Sequence, residues 1–202
     1  GSVDSSFTAA ANYGFVDCLA LQADGKILLG GSFLGLNPAD SEFGEGVGAD
    51  YWWLGRLNAD GSVDTGFNIG VESNDPNNPV NSIAVMADGK IMVGGWFTTY
   101  NGVERNGLVR LKTDGTLDPS FVSASGPYDR SYCVVEQADG KILVGGYYDV
   151  AGLSGDTTRL ERLNADGTLD SSFTSGIDDV GRITSVVLQA DGKMLVCSGP
   201  SS

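Results

Sequence analysis

Short apolar segments alternate with Asp-Gly dipeptides along the chain. The segment Ser82–Met86 precedes one Ala-Asp-Gly and the segment Lys90–Gly94 follows it. Asp-Gly between two apolar runs favours a β-hairpin, because glycine accepts the positive φ that the tight turn requires. Both runs are apolar at successive positions, which is typical of strands that are buried on both faces. The pattern therefore predicts hairpins in the middle of layered sheets.

A second hairpin is predicted downstream of the first. Leu108–Lys112 and Thr116–Phe121 flank Thr-Asp-Gly, so they are expected to form a third and a fourth strand. Apolar and polar positions alternate more clearly in the third strand than in the first two, since Leu108 and Arg110 fall on one face. We therefore expect this strand to lie further out than the first two.

The two hairpins belong to an internal repeat of roughly 50–60 residues. Ala-Asp-Gly-Lys occurs four times, at Ala23–Lys26, Ala87–Lys90, Ala138–Lys141 and Ala190–Lys193. Antiparallel units of four strands at this period predict an all-β fold, a β-propeller-type array of about 3.75 blades. Residues 1–202 are read as one domain with repeat units of about 1–60, 61–114, 115–166 and a partial unit 167–202. The recurrent lysine is expected to be solvated at the start of the second strand.

Two segments of the repeat carry a resemblance to a known family. Ala138–Gly146 reads Ala-Asp-Gly-Lys-Ile-Leu-Val-Gly-Gly, and Arg162–Phe173 reads Arg-Leu-Asn-Ala-Asp-Gly-Thr-Leu-Asp-Ser-Ser-Phe. These segments resemble the delta-sixty repeat, a β-propeller family of bacterial and phage surface proteins. The resemblance covers nearly the whole chain and implies a propeller. The fourth copy departs from it, because Cys197 stands where the first glycine of Gly-Gly is expected.

Charge and composition exclude several functions. The net charge is −14, which repels a phosphate backbone, so no nucleic-acid partner is expected. No apolar stretch approaches 18 residues, so no membrane insertion is expected. The chain has no histidine, which removes a Ser–His relay. Cys18 and Cys133 share one repeat position with serines, which indicates a small packed site. We expect no enzyme activity.

The long connection Phe33–Leu54 is the first candidate binding site. It is about twice as long as the equivalent connection Phe97–Leu108, and long loops on a repetitive scaffold often carry function. Its aromatic rings and carboxylates suit stacking on a sugar and hydrogen bonding to its hydroxyls. The alternative is that the two tryptophans begin a strand and pack between blades. The candidate ligand-binding residues are Asp40, Glu42, Asp50, Tyr51, Trp52 and Trp53.

A calcium site is the one cofactor that the sequence offers as a candidate. Asn58, Asp60, Ser62 and Asp64 have the spacing of oxygen ligands in a calcium loop. The bidentate glutamate expected at position twelve is absent, because Ile69 falls there. Asp and Asn also stabilise turns, so turn chemistry is the preferred interpretation. No metal site and no cofactor are therefore predicted.

The expected function is a non-catalytic structural and recognition module of a virion-surface protein, such as a phage tail or fibre, or of a bacterial cell-surface protein. The alternative is a carbohydrate-binding propeller attached to a secreted glycan-degrading enzyme. The expected partners are a protein or glycan on a surface, and the expected location is extracellular, on a cell surface or virion. An open array exposes sheet edges, which predicts a homo-oligomer or part of a larger propeller.

Overall fold

The chain forms antiparallel sheets in sequence order. The computed structural model describes residues 12–36, 52–67, 71–72, 80–123, 130–148, 157–177 and 182–199, together with Ser2, Ser5 and Phe7. The strands among these residues are β1 (Asn12–Leu21), β2 (Ile27–Gly35), β3 (Trp52–Leu57), β4 (Val71–Glu72), β5 (Val80–Val85), β6 (Ile91–Gly95), β7 (Thr99–Tyr100), β8 (Val103–Glu104), β9 (Leu108–Leu111), β10 (Arg130–Glu136), β11 (Ile142–Tyr148), β12 (Thr157–Leu163), β13 (Ile183–Leu188) and β14 (Met194–Ser198). Within this described part, no helix is long and apolar enough to cross a lipid bilayer.

Four of the sheets correspond to the four copies of the repeat. Sheet 1 is β1-β2-β3, sheet 2 is β5-β6-β9, sheet 3 is β10-β11-β12, and sheet 4 is β13-β14. Each begins with the predicted hairpin. In sheet 1 the Gln22 amide donates to the Lys26 carbonyl at 2.8 Å, and Gly25 between them has a φ of +86°. The hairpins and the all-β class are thus confirmed.

The predicted fourth strand of each repeat does not form as a strand in the described residues. In sheet 2, Leu117 pairs with Leu111 as an isolated bridge, and the chain then turns away. The Asp118 carboxylate accepts hydrogen bonds from the amide (3.0 Å) and the hydroxyl (2.7 Å) of Ser120, which bends the backbone. The prediction of a strand over Thr116–Phe121 was wrong, because this local turn competes with the ladder.

The third strand is also more buried than expected. All four residues of β9 are buried, including Arg110. The alternation of its faces is as predicted, because Leu108 contacts the core towards sheet 3 whereas Val109 and Leu111 contact the core towards sheet 1. The strand lies at the edge of its sheet, beyond the first two in the order β5-β6-β9, as expected. It can be fully buried there because Arg110 is neutralised inside the protein by an ion pair described below.

The hydrophobic core lies between successive sheets. Three clusters each combine residues of two neighbouring repeats, so a central sheet is buried on both faces. Sheets 1 and 2 share Leu28, Leu54, Ile91 and Val93; sheets 2 and 3 share Met92, Leu108, Ile142 and Val144; sheets 3 and 4 share Leu143, Leu160, Ile183 and Val186.

The first glycine of each Gly-Gly pair permits this close packing. A Cβ atom on Gly94 would lie 2.6 Å from Val134 Cγ2 of sheet 3. The same atom on Gly30 would lie 2.6 Å from Val80 Cγ1, and on Gly145 it would lie 2.7 Å from Ile183 Cγ2. These glycines are therefore contact points between neighbouring sheets.

A small sheet of order β4-β7-β8 was not predicted. Val71 pairs with Tyr100, and Glu72 pairs with Thr99. Residues 68–70 and 73–79 lie outside the described residues.

Candidate functional site

The strands of each sheet end on two opposite sides, which are called the turn edge and the loop edge. The turn edge carries the Asp-Gly turns, such as 22–26 and 58–62 in repeat 1. The loop edge lies at the opposite ends of the strands, where β1 starts, β2 ends and β3 starts. Candidate functional groups occur at both edges.

A cluster of Lys, Asp and Arg side chains recurs at the turn edge. In repeat 1 Lys26 Nζ lies 2.7 Å from Asp64 Oδ2, and Arg56 Nε lies 2.8 Å from the same oxygen. The Arg56 guanidinium also lies 4.4 Å from the centroid of the Phe67 ring. Equivalent clusters are formed by Lys90, Asp118, Arg110 and Phe121 and by Lys141, Asp170, Arg162 and Phe173.

The arginines of these clusters connect one repeat to the next. Arg56 Nη1 donates to the carbonyl of Thr113, in the second Asp-Gly turn of repeat 2. Arg110 Nη1 donates to the carbonyl of Ala165 in the equivalent turn of repeat 3. The side chain of Arg162 is 20% exposed, against 8% for Arg56 and 6% for Arg110. The first two clusters therefore tie the sheets together at the turn edge.

The lysines of the first three copies are thus ion-paired across the repeat, which corrects the expectation that they are simply solvated. Lys193 of the fourth copy, which is 77% exposed, pairs with Asp191 beside it. The sequence held a signal for the cluster: an Arg stands eight residues before the Asp in each pair Arg56 and Asp64, Arg110 and Asp118, and Arg162 and Asp170.

Neighbouring hydrogen-bond donors keep the carboxylates of Asp64, Asp118 and Asp170 ionised. A hydrogen bond from Lys26 lowers the pKa of Asp64, and burial opposes this only in part. Burial acts to raise the pKa of Asp118, but hydrogen bonds from Ser120 and Arg110 outweigh it and hold the pKa well below its usual range. Hydrogen bonds from Lys141 and Ser172 lower the pKa of Asp170. Carboxylates held charged in this way suit a structural role better than proton donation.

Acid is expected to destabilise the protein through these clusters. Because the folded-state pKa values lie below the unfolded value of about 3.9, the stabilisation is present above that pH and is lost as pH falls. The urea midpoint should therefore fall progressively from about pH 5 downward. In an Asp118→Asn variant the midpoint should be lower at pH 7 and should depend less on pH. Equal acid dependence in the variant and the parent would count against the ion pairs.

The proposed calcium ligands are engaged in turn hydrogen bonds. Asp60 Oδ1 accepts from the amide (2.9 Å) and the hydroxyl (2.7 Å) of Ser62, and Asn58 Nδ2 donates to that hydroxyl at 2.9 Å. Asp64 is bound by Lys26 and Arg56. Among the described residues no group of three His, Cys, Asp or Glu side chains is placed to hold a metal ion. The turn interpretation accounts for the contacts of Asn58, Asp60 and Ser62, and the ion pairs account for those of Asp64.

The structure places only part of the predicted binding loop. Asp40, Glu42, Asp50 and Tyr51 lie outside the described residues. The backbone of Trp52 is in β3 and pairs with Phe33, but its side chain also lies outside the described part. Trp53 is 3% exposed and belongs to the core between sheets 1 and 2. Trp53 therefore packs between repeats, and ligand binding by the other five residues stays a prediction.

Arginine–aromatic pairs mark the loop edge. The Arg130 guanidinium lies 3.3 Å from the centroid of the Trp96 ring in the preceding repeat. The Arg182 guanidinium lies 4.6 Å from the centroid of the Tyr132 ring, which also belongs to the preceding repeat. β2 ends and β3 begins at the loop edge of sheet 1, so the predicted binding loop leaves sheet 1 at the edge that carries these pairs in the later sheets. Sequence analysis missed them because the partners come from different repeats.

The three cysteines are free: Cys18 is half-buried, Cys133 is buried and Cys197 is exposed. Burial raises the pKa of Cys18 to about 12 and that of Cys133 to about 11. Cys18 Sγ lies 3.7 Å from the Val80 carbonyl oxygen of sheet 2. The prediction of a small packed position is confirmed, and Cys197 is the exposed thiol.

Antiparallel sheets in sequence order, with a shared core and a recurring ionic cluster, define a β-propeller-type repeat protein. A family model described as a domain of unknown function (DUF5122) β-propeller matches residues 22–40, 54–67, 87–121 and 137–173. These segments make up more than half of the chain, and the chain belongs to this family. The comparison with curated proteins gave no match.

A solved structure supports the fold. The chain is similar to a protein of unknown function from Bacteroides caccae, with a TM-score of 0.55 and 13% sequence identity. The match covers 93% of this chain and 54% of that protein, so the chain spans about half its length. At this identity the likeness concerns the fold alone.

Proposed function

We propose that the chain is a non-catalytic structural and recognition module of an extracellular surface protein of delta-sixty type, either on a virion, as in a phage tail or fibre, or on a bacterial cell. Each sheet is one blade of about 3.75 in the chain, and the single bridge after the third strand occupies the place of the fourth strand. The proposal rests on the way in which the recurring charged side chains pair with one another. Lys26, Asp64 and Arg56, and their counterparts, are joined to one another rather than directed at a ligand.

The loop edge is the proposed recognition surface. It carries the Arg130–Trp96 and Arg182–Tyr132 pairs and the ends of the strands that flank the interval 37–51. Aromatic and arginine side chains are enriched at binding hot spots, because they offer a large contact area together with hydrogen bonding. The proposed partner is a protein or glycan on a surface. A carbohydrate-binding propeller attached to a glycan-degrading enzyme is the second candidate, and the carboxylates and aromatic rings of the predicted loop favour it.

An array of bacterial surface glycans, and intact bacterial cells, test the proposal. We expect the labelled chain to bind one or both, and Trp52→Ala to weaken binding at least about ten-fold, which corresponds to about 1.4 kcal/mol. Trp53 is left unchanged, because it belongs to the core. The control is Lys193→Ala at the turn edge, which should bind like the parent.

The pattern of binding separates the candidates. Binding to isolated glycans favours carbohydrate recognition, whereas binding to cells that protease treatment removes favours a protein partner. A chain that binds neither probe, or that loses binding through Lys193→Ala and keeps it in Trp52→Ala, would argue against recognition at the loop edge.

A further inference from the structure

Large apolar side chains are exposed on the outer faces of the first and the last sheet. The leading face is the outer surface of sheet 1. Leu36 covers its β3 side, whereas Leu19 and Leu21 of β1 are exposed, Leu19 by 63%. The trailing face is the outer surface of sheet 4 that includes Val187 and Leu195, and Leu195 is 56% exposed. Large aliphatic side chains grouped on one face indicate a surface that another protein surface covers.

The equivalents of the leading face are covered inside the chain. Counted from the Asp-Gly turn, Leu19 corresponds to Ile83, Val134 and Val186 in repeats 2, 3 and 4. Each of these side chains packs against the sheet that precedes it, and Val134 and Val186 are buried. A leading face is thus covered wherever a preceding sheet is present.

The trailing face shows the reciprocal pattern. Leu195 corresponds to Leu28, Met92 and Leu143, which are all buried against the sheet that follows them. Val187 corresponds to Val135, which packs in the same core as Leu143. The exposed residues of the leading and trailing faces therefore occupy positions that meet three times between successive sheets within the chain.

We propose that the leading face of one chain packs on the trailing face of a second copy of the same chain. The contact continues the interface between successive sheets, and both halves are supplied by each copy. Such head-to-tail contacts close into rings when the rotation permits. The inference names one partner for the proposed surface module and does not depend on what its loop edge binds.

One residue makes this junction weaker than the internal interfaces. Cys197 occupies the position of Gly30, Gly94 and Gly145, where a Cβ atom on any of the three would lie within 2.7 Å of a side chain of the next sheet. At the junction this side chain would meet Val16, the equivalent of Val80. The thiol holds the two faces apart and makes the association reversible. Replacing it with glycine should tighten the contact.

Sedimentation velocity over a concentration series tests the inference. We expect the 202-residue chain to associate, and the association to strengthen as salt screens the net charge of −14 on each copy. Cys197→Gly should raise the association constant at least about ten-fold. Leu19→Asp and Leu195→Asp should each lower it at least about 100-fold, because each places a carboxylate in an apolar contact. Val103→Asp is the control, because Val103 is an exposed valine in β8, outside both faces.

Mixing the two impaired variants gives the sharpest result. A Leu19→Asp chain keeps its trailing face, and a Leu195→Asp chain keeps its leading face, so an equimolar mixture should form a heterodimer through one intact junction. A parent chain that stays monomeric at high concentration would overturn the inference. So would variants that associate like the parent, or a mixture that stays monomeric. Urea midpoints close to that of the parent establish that the variants are folded.

Discussion

Replacing Gly94 with valine is expected to destabilise the protein by about 3 kcal/mol or more, because it forces sheets 2 and 3 apart. The new Cβ atom would lie 2.6 Å from Val134 Cγ2 and 3.1 Å from Ser131 Cβ. Both neighbours belong to β10, whose backbone is fixed by its ladder to β11, so neither can withdraw without disturbing the sheet. Urea unfolding followed by tryptophan fluorescence measures the loss.

Gly199→Val is the matched control for this substitution. A Cβ atom on Gly199 meets only Thr184 Cγ2 at 3.8 Å and the Arg182 carbonyl oxygen at 3.9 Å, which are ordinary contacts. Its effect should stay within about 0.5 kcal/mol. If both variants lose the same stability, the cost arises from valine itself and close packing of the sheets is not its cause.

Replacing Arg110 with methionine is expected to cost about 3–5 kcal/mol, because it leaves the Asp118 carboxylate buried without its guanidinium partner. Arg110 Nε lies 2.8 Å from Asp118 Oδ2, and the two side chains are each 6% exposed. The substitution also removes the hydrogen bond to the Ala165 carbonyl and the contact with Phe121. Urea unfolding at pH 7 measures the change.

Two further variants identify the cause of that loss. Arg162→Met removes the equivalent guanidinium from a more exposed cluster, so its cost should be clearly smaller. Asp118→Asn combined with Arg110→Met should recover part of the stability, since the buried carboxylate that lost its guanidinium partner is then also removed. An equal loss for Arg110→Met and Arg162→Met, with no recovery in the double variant, would show that burial of the charge is not the cause.

The hairpins were predictable because a local signal determines them. Asp-Gly requires positive φ at glycine, and the apolar runs on either side fix which residues pair. The fourth strand was predicted wrongly from the same signal, because Thr116–Phe121 contains Asp118-Pro119-Ser120, which favours a turn over a strand. Its fate depends on the Asp118 carboxylate, which accepts two hydrogen bonds from Ser120 and bends the chain. Turn chemistry within this segment thus determines its conformation.

The ionic cluster was less accessible to sequence analysis than the hairpins. Lys26 and Asp64 come from different hairpins of one repeat, and only the pairing of β2 with β3 brings them together. The burial of Trp53 posed a similar difficulty, because an aromatic residue at the start of a strand has the same pattern whether it faces solvent or the next sheet. Its side chain lies in the core because sheet 2 packs against sheet 1.

The arginine hydrogen bonds at the turn edge give the array a polarity. Arg56 reaches forward to the turn of repeat 2, and Arg110 reaches forward to the turn of repeat 3. Repeats 2 and 3 are therefore each clamped by the repeat before them, whereas among the described residues Arg162 bonds to Asp170 of its own repeat and no such clamp reaches sheet 4. In a linear array with nearest-neighbour coupling, the least clamped unit opens first. Unfolding should then begin at the carboxyl-terminal sheet and proceed towards the amino-terminal sheet. A partner bound to the trailing face would prevent this first opening.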